Sequence, residues 1–280
     1  MIRAYYRLTK PGIIYGNTLV AVAAYVFGAQ HAFDPLTFIC MTVGLMASIA
    51  SVCVVNNVLD RDIDALMERT KKRALPTGAI SPRHAYMFAA VLFVIGTLSL
   101  YIGTNLLTLT LTLIADAVYV LFYTPLKRIS HHSTIVGTIS GAMPPLIGYT
   151  AATHILDLTA VALFMFMVAW QMVHFMGIAI FRKDEYAAAR VPVMSVRFPG
   201  SYAKAIMVTY AVLCVLAAFV FAYVSGIAWY LSALLVGGTT LWGLYALFGA
   251  RTHDDVRWAR KVFGYSMLVL LLLCAVLVLG

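Results

Sequence analysis

Three oxygen-bearing side chains, Asn56, Asp60 and Asp64, follow one another at four-residue intervals near the end of a long apolar stretch. On a helix of about 3.6 residues per turn they fall along one slowly drifting stripe, while Asp62 points elsewhere. Stacked carboxylates repel one another unless a cation neutralises them, and oxygen-only ligands suit Mg²⁺ bridged to phosphate. The stripe begins inside an apolar span, where polar groups are costly and usually functional, which favours a metal site over acidic decoration of a helix end.

A basic run at 68–73, with the sequence ERTKKR, follows the stripe directly. Charge at a membrane surface is the plain interpretation of such a run. Beside an acidic metal site, however, Arg grips phosphate oxygens in a bidentate fork and Lys supplies a point charge, as a diphosphate needs. Lys71 and Arg73 are therefore the preferred phosphate ligands.

A second polar loop opens with Arg182, Lys183, Asp184, Glu185 and Tyr186. If the preceding helix persists, His174 and Glu185 are eleven residues apart and share one face, three turns from each other. A second acidic site at Asp184 and Glu185 would then face the first. A solvated loop is the alternative for these two acids, and an interior hydrogen-bonded residue is the alternative for His174.

A third cluster, 123–128 with the sequence YTPLKR, closes another apolar stretch. Lys127 and Arg128 either add positive potential to the same pocket or only anchor their loop. The sequence GAMPP at 141–145 predicts a broken or kinked helix, because proline removes a hydrogen-bond donor and clashes with the preceding turn. Asp116 is the one acidic residue deep in a span, and the pattern assigns it no role.

The elements that position these residues are long apolar helices. The chain of 280 residues is 62% hydrophobic and 11% charged, outside the range of a soluble domain with a polar surface. A bilayer core about 30 Å thick needs about 20 apolar residues per helix, and backbone amides in lipid must bond within their own segment. We therefore predict an all-α, polytopic membrane protein forming one domain over 1–280, with nine spans at 12–29, 36–58, 84–102, 106–124, 134–152, 158–181, 205–224, 228–249 and 262–279.

The placement of charge fits this topology rather than nucleic-acid binding, despite a formal charge of +9. All 20 Lys and Arg lie before the first span or in alternate connections. Under the positive-inside rule, the amino terminus and the acidic loops are then cytoplasmic and Gly280 lies outside. The four cysteines lie within spans without a CxxC pair, so neither a disulfide framework nor a zinc site is expected.

The motifs together resemble the UbiA superfamily of intramembrane prenyltransferases, nearly from end to end. Within that superfamily, the resemblance is to the branch that farnesylates heme. The pattern NxxxDxxxD identifies only the superfamily, whereas four further pieces are more specific. They are DRDID at 60–64 followed by MERTKKR at 67–73, WQMVH at 170–174 and ARKVF at 259–263.

The resemblance implies nine transmembrane helices around a central cavity, with two acidic motifs at its cytoplasmic mouth. By position, Asn56, Asp60 and Asp64 match the first motif and would hold Mg²⁺, with Asp60 and Asp64 as catalytic residues. Asp184 and Glu185, the further metal ligands that the resemblance implies, stand where the family usually shows a pair of aspartates, so Glu185 keeps the charge on a longer arm. The implied diphosphate ligands are Arg69, Lys71, Arg73, Lys127, Arg128 and Arg182, and the implied acceptor contacts are Tyr123, Trp170 and His174.

The implied reaction is Mg²⁺-dependent transfer of a farnesyl group from farnesyl diphosphate to a vinyl group of heme B, giving heme O. The implied partners are these two substrates, the lipid bilayer and heme A synthase or the assembly of a terminal oxidase. Without a transit peptide ahead of Met1, we expect a bacterial plasma membrane.

Three other classes stay open at this stage. A transporter or channel would place ionisable residues near the membrane midplane, where only Asp116 lies. A sister enzyme that prenylates a quinone precursor or a chlorin would share the metal site and differ in its acceptor contacts. A non-enzymatic assembly factor would leave the stripe from Asn56 to Asp64 without an explanation.

Overall fold

Helices are the only regular elements among residues 1–30 and 32–280, the part of the chain that the computed structural model describes. In chain order they are α1 (Ile2–Leu8), α2 (Pro11–Ala29), α3 (Pro35–Leu59), α4 (Arg61–Leu66), α5 (Pro82–Gly103), α6 (Leu106–Ala117), a π-helix (Val118–Tyr123), α7 (Thr124–Leu126), α8 (Ser133–Gly141), α9 (Met143–Thr153), α10 (Leu158–Phe181), α11 (Lys183–Ala188), α12 (Met194–Arg197), α13 (Gly200–Val224), α14 (Trp229–Gly249) and α15 (Asp255–Leu279).

Within these described residues, eight helical runs are long and apolar enough to cross a bilayer, as in a multi-pass membrane protein. They are α2, α3, α5, the run Leu106–Leu126, α10, α13, α14 and α15. The predicted all-α, polytopic fold is confirmed. The count of nine continuous spans is not, because the predicted span 134–152 is divided into α8 and α9.

The division of this span follows from its prolines. α8 ends at Gly141 and α9 begins at Met143, so that Pro144 and Pro145 lie in the first turn of the second helix. A first turn tolerates proline because its N–H groups have no partner within the helix, whereas a helix interior does not. The break predicted at GAMPP is therefore present.

Polar residues fix where several long helices begin. Asp34 accepts hydrogen bonds from the backbone N–H groups of Leu36 and Thr37, and Pro35 follows it at the start of α3. Asn105 and Asp157 cap α6 and α10 in the same way. Each cap satisfies N–H groups that have no acceptor in the first turn, which sets the register of the apolar faces that follow.

Close backbone contact joins α2 to α9 on one wall of the bundle. A Cβ atom at Gly148 would overlap the carbonyl oxygen of Ala21, so only glycine permits this approach. Gly96 allows a similar approach of α5 to the backbone of Ser48 on α3. Large side chains, including Tyr25, Phe166 and Phe221, fill the remaining interior and are almost fully buried.

We expect Gly148→Ala to destabilise the protein by about 1–3 kcal/mol, because the added methyl group must push α9 away from the backbone of α2. Thermal unfolding in detergent measures this loss. Gly237→Ala is the matched control, since nothing lies within 4 Å of a Cβ atom there. Equal unfolding temperatures for the two variants would contradict the proposed contact.

Candidate active site

The predicted stripe of Asn56, Asp60 and Asp64 is buried at one end of the bundle, with the three residues 2%, 3% and 6% exposed. α3 ends at Leu59, and Asp60 joins it to α4. Helical spacing nevertheless continues, because the N–H of Asp60 donates to the Asn56 carbonyl at 2.9 Å and that of Asp64 to the Asp60 carbonyl at 2.8 Å. Asp62 points away, as predicted, with its side chain 62% exposed.

Two of the predicted basic residues pair with the buried carboxylates. Lys127 donates to Oδ2 of Asp60, and Arg73 donates to Oδ2 of Asp64 at 2.7 Å. Burial makes an unpaired carboxylate costly, so these cations are required for the stripe to exist. Oδ1 of Asp60 is also buried, yet it has no hydrogen-bond partner among the described residues. That oxygen is free to accept a further cation.

Lys10 is a member of the site that the sequence interpretation missed. Its ammonium donates to Oδ1 of Asn56, whose Nδ2 in turn donates to Oγ1 of Thr124 at 3.1 Å. Lys10 has a left-handed backbone with φ 55°, a conformation uncommon outside glycine, directly before Pro11 at the start of α2. Burial lowers the pKa of the Lys10 ammonium. The only sequence signal was a lysine next to a helix-starting proline.

Two other predicted phosphate ligands face outward. Arg128 forks onto the exposed Asp62 at 2.8 and 2.6 Å and holds the pKa of that carboxyl well below its usual range. Lys71 pairs with the exposed Glu68 at 2.6 Å. In this arrangement neither residue contacts the buried carboxylates.

The second acidic motif is not a continuation of α10. That helix ends at Phe181, and Arg182, with φ −114° and ψ 20°, separates it from α11. The condition for His174 and Glu185 to share one face, a single helix running through both, is therefore not met, and the shared face stays a prediction. Glu185 pairs with Arg182 at 2.6 Å, and Asp184 is exposed.

The two polar loops nevertheless contact each other. Arg69 from the first loop approaches Glu185 to 3.9 Å, and Met67 packs against Ala189 and Val191 of the second. Among residues 1–30 and 32–280, no three His, Cys, Asp or Glu side chains lie close enough together to hold a metal ion. The five predicted metal ligands thus form two neighbouring groups rather than one cluster.

A largely apolar cavity of about 350 Å³ lies beneath the stripe, enclosed by α2, α3, α6 and its π-helix, α8, α9, α10 and α15. Cys53, one turn before Asn56, lines it, so the cavity begins directly under the acidic residues. Gly12 and Gly16 line the α2 wall, where a Cβ atom would meet nothing within 4 Å.

The three residues predicted as acceptor contacts, Tyr123, Trp170 and His174, all line this cavity. Tyr123 belongs to the π-helix, which the sequence interpretation did not anticipate. Pro125 follows two residues later and has no N–H to donate, so the regular hydrogen-bond pattern cannot continue through this segment. Asp116 also lines the cavity and accepts a hydrogen bond from Ser48 at 2.5 Å.

The model of the UbiA prenyltransferase family matches residues 17–279. The chain belongs to the UbiA prenyltransferase family. This UbiA prenyltransferase is 39% identical over 272 residues to the protoheme IX farnesyltransferase of Photorhabdus laumondii, covering 96% of this chain and 92% of that protein. It is 41% identical over 271 residues to protoheme IX farnesyltransferase 2 of Pseudomonas putida, covering 95% and 91%.

A solved UbiA homolog from Archaeoglobus fulgidus, bound to GPP and Mg²⁺, shares the fold. Its TM-score is 0.72 at 15% identity, and the alignment covers 98% of this UbiA prenyltransferase and 99% of the homolog. The residues present here fit a divalent cation, since Oδ1 of Asp60 is buried without a partner among the described residues, with a buried amide one helical turn before it and a buried carboxylate one turn after it.

Breaking the buried ion pair should cost far more stability than breaking its exposed neighbour. We expect Lys127→Met to destabilise this UbiA prenyltransferase by about 3–5 kcal/mol, because Asp60 is left buried and unpaired. The double variant Lys127→Met with Asp60→Asn should recover much of that loss. Thermal unfolding in detergent at neutral pH reports both values.

The exposed pair of Arg128 and Asp62, one residue after Lys127 and two residues after Asp60, is the matched control. Arg128→Met should cost about 1 kcal/mol or less, since Asp62 stays solvated. A loss as large as that of Lys127→Met would show that burial of Asp60 is not the cause.

Proposed function

We propose that this UbiA prenyltransferase transfers the farnesyl group of farnesyl diphosphate to a vinyl group of heme B, giving heme O and diphosphate. The observation that carries this proposal is a buried carboxylate stripe, paired with cations, at the mouth of an apolar cavity. The names of the relatives at 39% and 41% identity support heme as the acceptor.

The diphosphate binds at the mouth of the cavity. Asn56, Asp60 and Asp64 would hold Mg²⁺ together with Asp184 or Glu185 from the second loop, and bound Mg²⁺ supplies Lewis acidity to the leaving group. The Mg²⁺ and GPP bound by the Archaeoglobus fulgidus homolog support this part of the proposal. Arg73 and Lys127 reach the diphosphate from the buried side, and Arg69 and Arg182 approach it from the loop surface beside Glu185. Lys71 and Arg128 would join them by exchanging their pairs with Glu68 and Asp62 for the diphosphate.

Cleavage of the allylic C–O bond sends the bonding electrons to the diphosphate. Fixed cations stabilise that growing negative charge most strongly where water is scarce, as at the buried end of this cavity. The positive charge left on the prenyl chain faces the rings of Tyr119 and Tyr123, which line the cavity below Asn56. The vinyl π electrons then form the new C–C bond, and water adds at the adjacent carbon with loss of a proton.

The chain is a multi-pass membrane protein. The membrane that we propose for it is a bacterial plasma membrane, with the amino terminus and both acidic loops in the cytoplasm and Gly280 outside. The bacterial relatives and the concentration of Lys and Arg at one end support this orientation. Contact with heme A synthase or a terminal-oxidase assembly stays a prediction.

Replacing Asp60 or Asp64 with Ala should reduce heme O formation by at least about 100-fold, because the leaving diphosphate loses its anchoring site. Asp62→Ala is the control, since Asp62 lies outside the stripe and pairs only with Arg128. Mass spectrometry of hemes extracted from membranes, at matched protein levels, measures the product. Wild-type product levels in both stripe variants would exclude this site.

The acceptor is tested directly with purified protein in detergent, farnesyl diphosphate and Mg²⁺. Heme B should be converted and 4-hydroxybenzoate should not, and removing Mg²⁺ with a chelator should stop the reaction. Prenylation of 4-hydroxybenzoate alone would assign the chain to quinone-precursor synthesis. Turnover without vesicles separates an enzyme from a transporter.

Lys10 should also contribute to turnover, because it orients the Asn56 carboxamide and lies beside the diphosphate position. We expect Lys10→Met to lower kcat/KM for farnesyl diphosphate by about 10–100-fold, the range for losing a charge-assisted hydrogen bond. Arg7→Met is the control on the neighbouring exposed turn. Unchanged kcat/KM in a stable Lys10 variant would limit this residue to a structural role.

A further inference from the structure

His174 lies in the cavity wall seven residues before the end of α10, about 10 Å from that end at about 1.5 Å per residue. Cys53 lies at a similar depth on α3, six residues before its end. His174 therefore lies level with the part of the cavity just under the carboxylate stripe. It is the only cavity-lining histidine in the part of the chain that the structure describes.

The hydrogen bonds around His174 determine which ring nitrogen carries the proton. Oγ of Ser266 lies 2.6 Å from the carbonyl oxygen of Phe263, which can only accept, so the single hydroxyl proton points there. Nδ1 of His174 lies 2.9 Å from the same Oγ and must then be the donor. In the neutral ring, Nε2 is left with an unprotonated lone pair.

The ring is also held in a fixed orientation. The Trp170 ring stacks on the imidazole of His174, with ring centroids 4.9 Å apart and an interplanar angle of 24°. The centroid of the Phe263 ring lies 4.5 Å from that of the same imidazole. The indole N–H of Trp170 donates at 2.7 Å to the carbonyl of Ser266, so one residue of α15 anchors both rings. Nε2 has no hydrogen-bond partner among the described residues.

An imidazole anchored through one N–H, with its other nitrogen free at a cavity, is the arrangement in which histidine binds a metal. The proposed acceptor carries iron at its centre. We propose that Nε2 of His174 coordinates the iron of the heme acceptor and thereby sets the position of its vinyl group relative to the prenyl carbon. The new bond is dative, from the Nε2 lone pair to iron, and moves no proton or electron.

This inference rests on the proposed function, and spectroscopy tests it separately from turnover. Purified protein in detergent is titrated with heme B, and the ferrous complex is examined by resonance Raman for an iron–histidine stretching band. We expect the band in the wild type and its loss in His174→Gly, with restoration when free imidazole is added. His154→Gly and His253→Gly, at exposed positions, should keep the band.

A comparison of ligands on the unaltered protein gives an independent readout. Metal-free protoporphyrin IX should bind about tenfold or more weakly than heme B, as expected for about 1.4 kcal/mol of lost ligation. His174→Met, which keeps a side chain of similar bulk, should bind heme B with an altered Soret spectrum. Equal affinities for the two porphyrins, or a wild-type spectrum in His174→Met, would overturn the assignment.

A turnover assay on the same preparations distinguishes failure of the proposed heme ligation from failure of the proposed function. If the wild type forms heme O but shows no histidine band, the ligation is wrong and the proposed function stands. If the band is present but farnesyl transfer to heme B is absent, the proposed function fails and heme ligation survives it.

Discussion

Carboxylates buried at one end of an apolar bundle must each be paired with a cation, and this requirement organises the surrounding structure. Asp60 needs Lys127 from the connection after the π-helix, and Asp64 needs Arg73 from the loop that follows it. Three separate segments of the chain therefore meet at the carboxylate stripe. Losing either cation would leave a buried charge whose desolvation costs several kcal/mol.

The same pairing prepares the site for an anion. Lys127, Arg73 and Lys10 surround two carboxylates and an amide, so positive groups are already in position when a phosphate arrives. Such preorganisation reduces the reorganisation that would otherwise accompany charge development in a low-dielectric site. The apolar cavity beneath then receives a hydrocarbon chain without losing hydrogen bonds to water.

Much of this site could be predicted because it depends on local spacing and on charge. The four-residue interval that unites Asn56, Asp60 and Asp64 survives the junction at Asp60, since backbone hydrogen bonds continue across it. The positive charge of Arg73 and Lys127 predicted them as diphosphate ligands near the stripe, and the structure pairs them with its carboxylates. The apolar lengths of the spans predicted the helices, and the paired prolines predicted the break between α8 and α9.

The features that were missed depend on backbone conformation and on contacts distant in sequence. Lys10 reaches Asn56 across 46 residues from a backbone with positive φ, and no residue pattern predicted either feature. Adjacent residues Lys127 and Arg128 have similar chemistry, yet one faces the buried stripe and the other faces Asp62. The end of α10 at Phe181 likewise has no proline or glycine directly after it that would predict it.

The glycines on the α2 wall carry a consequence for the choice of acceptor. At Gly12 and Gly16 the helix surface is bare backbone, and free space lies beyond it on the cavity side. A flat, rigid macrocycle requires a wall without protruding side chains, whereas a single small aromatic ring does not. Bulkier residues at these two positions would narrow the cavity. Substitutions here therefore offer a short evolutionary route between large and small acceptors that leaves the carboxylate stripe unchanged.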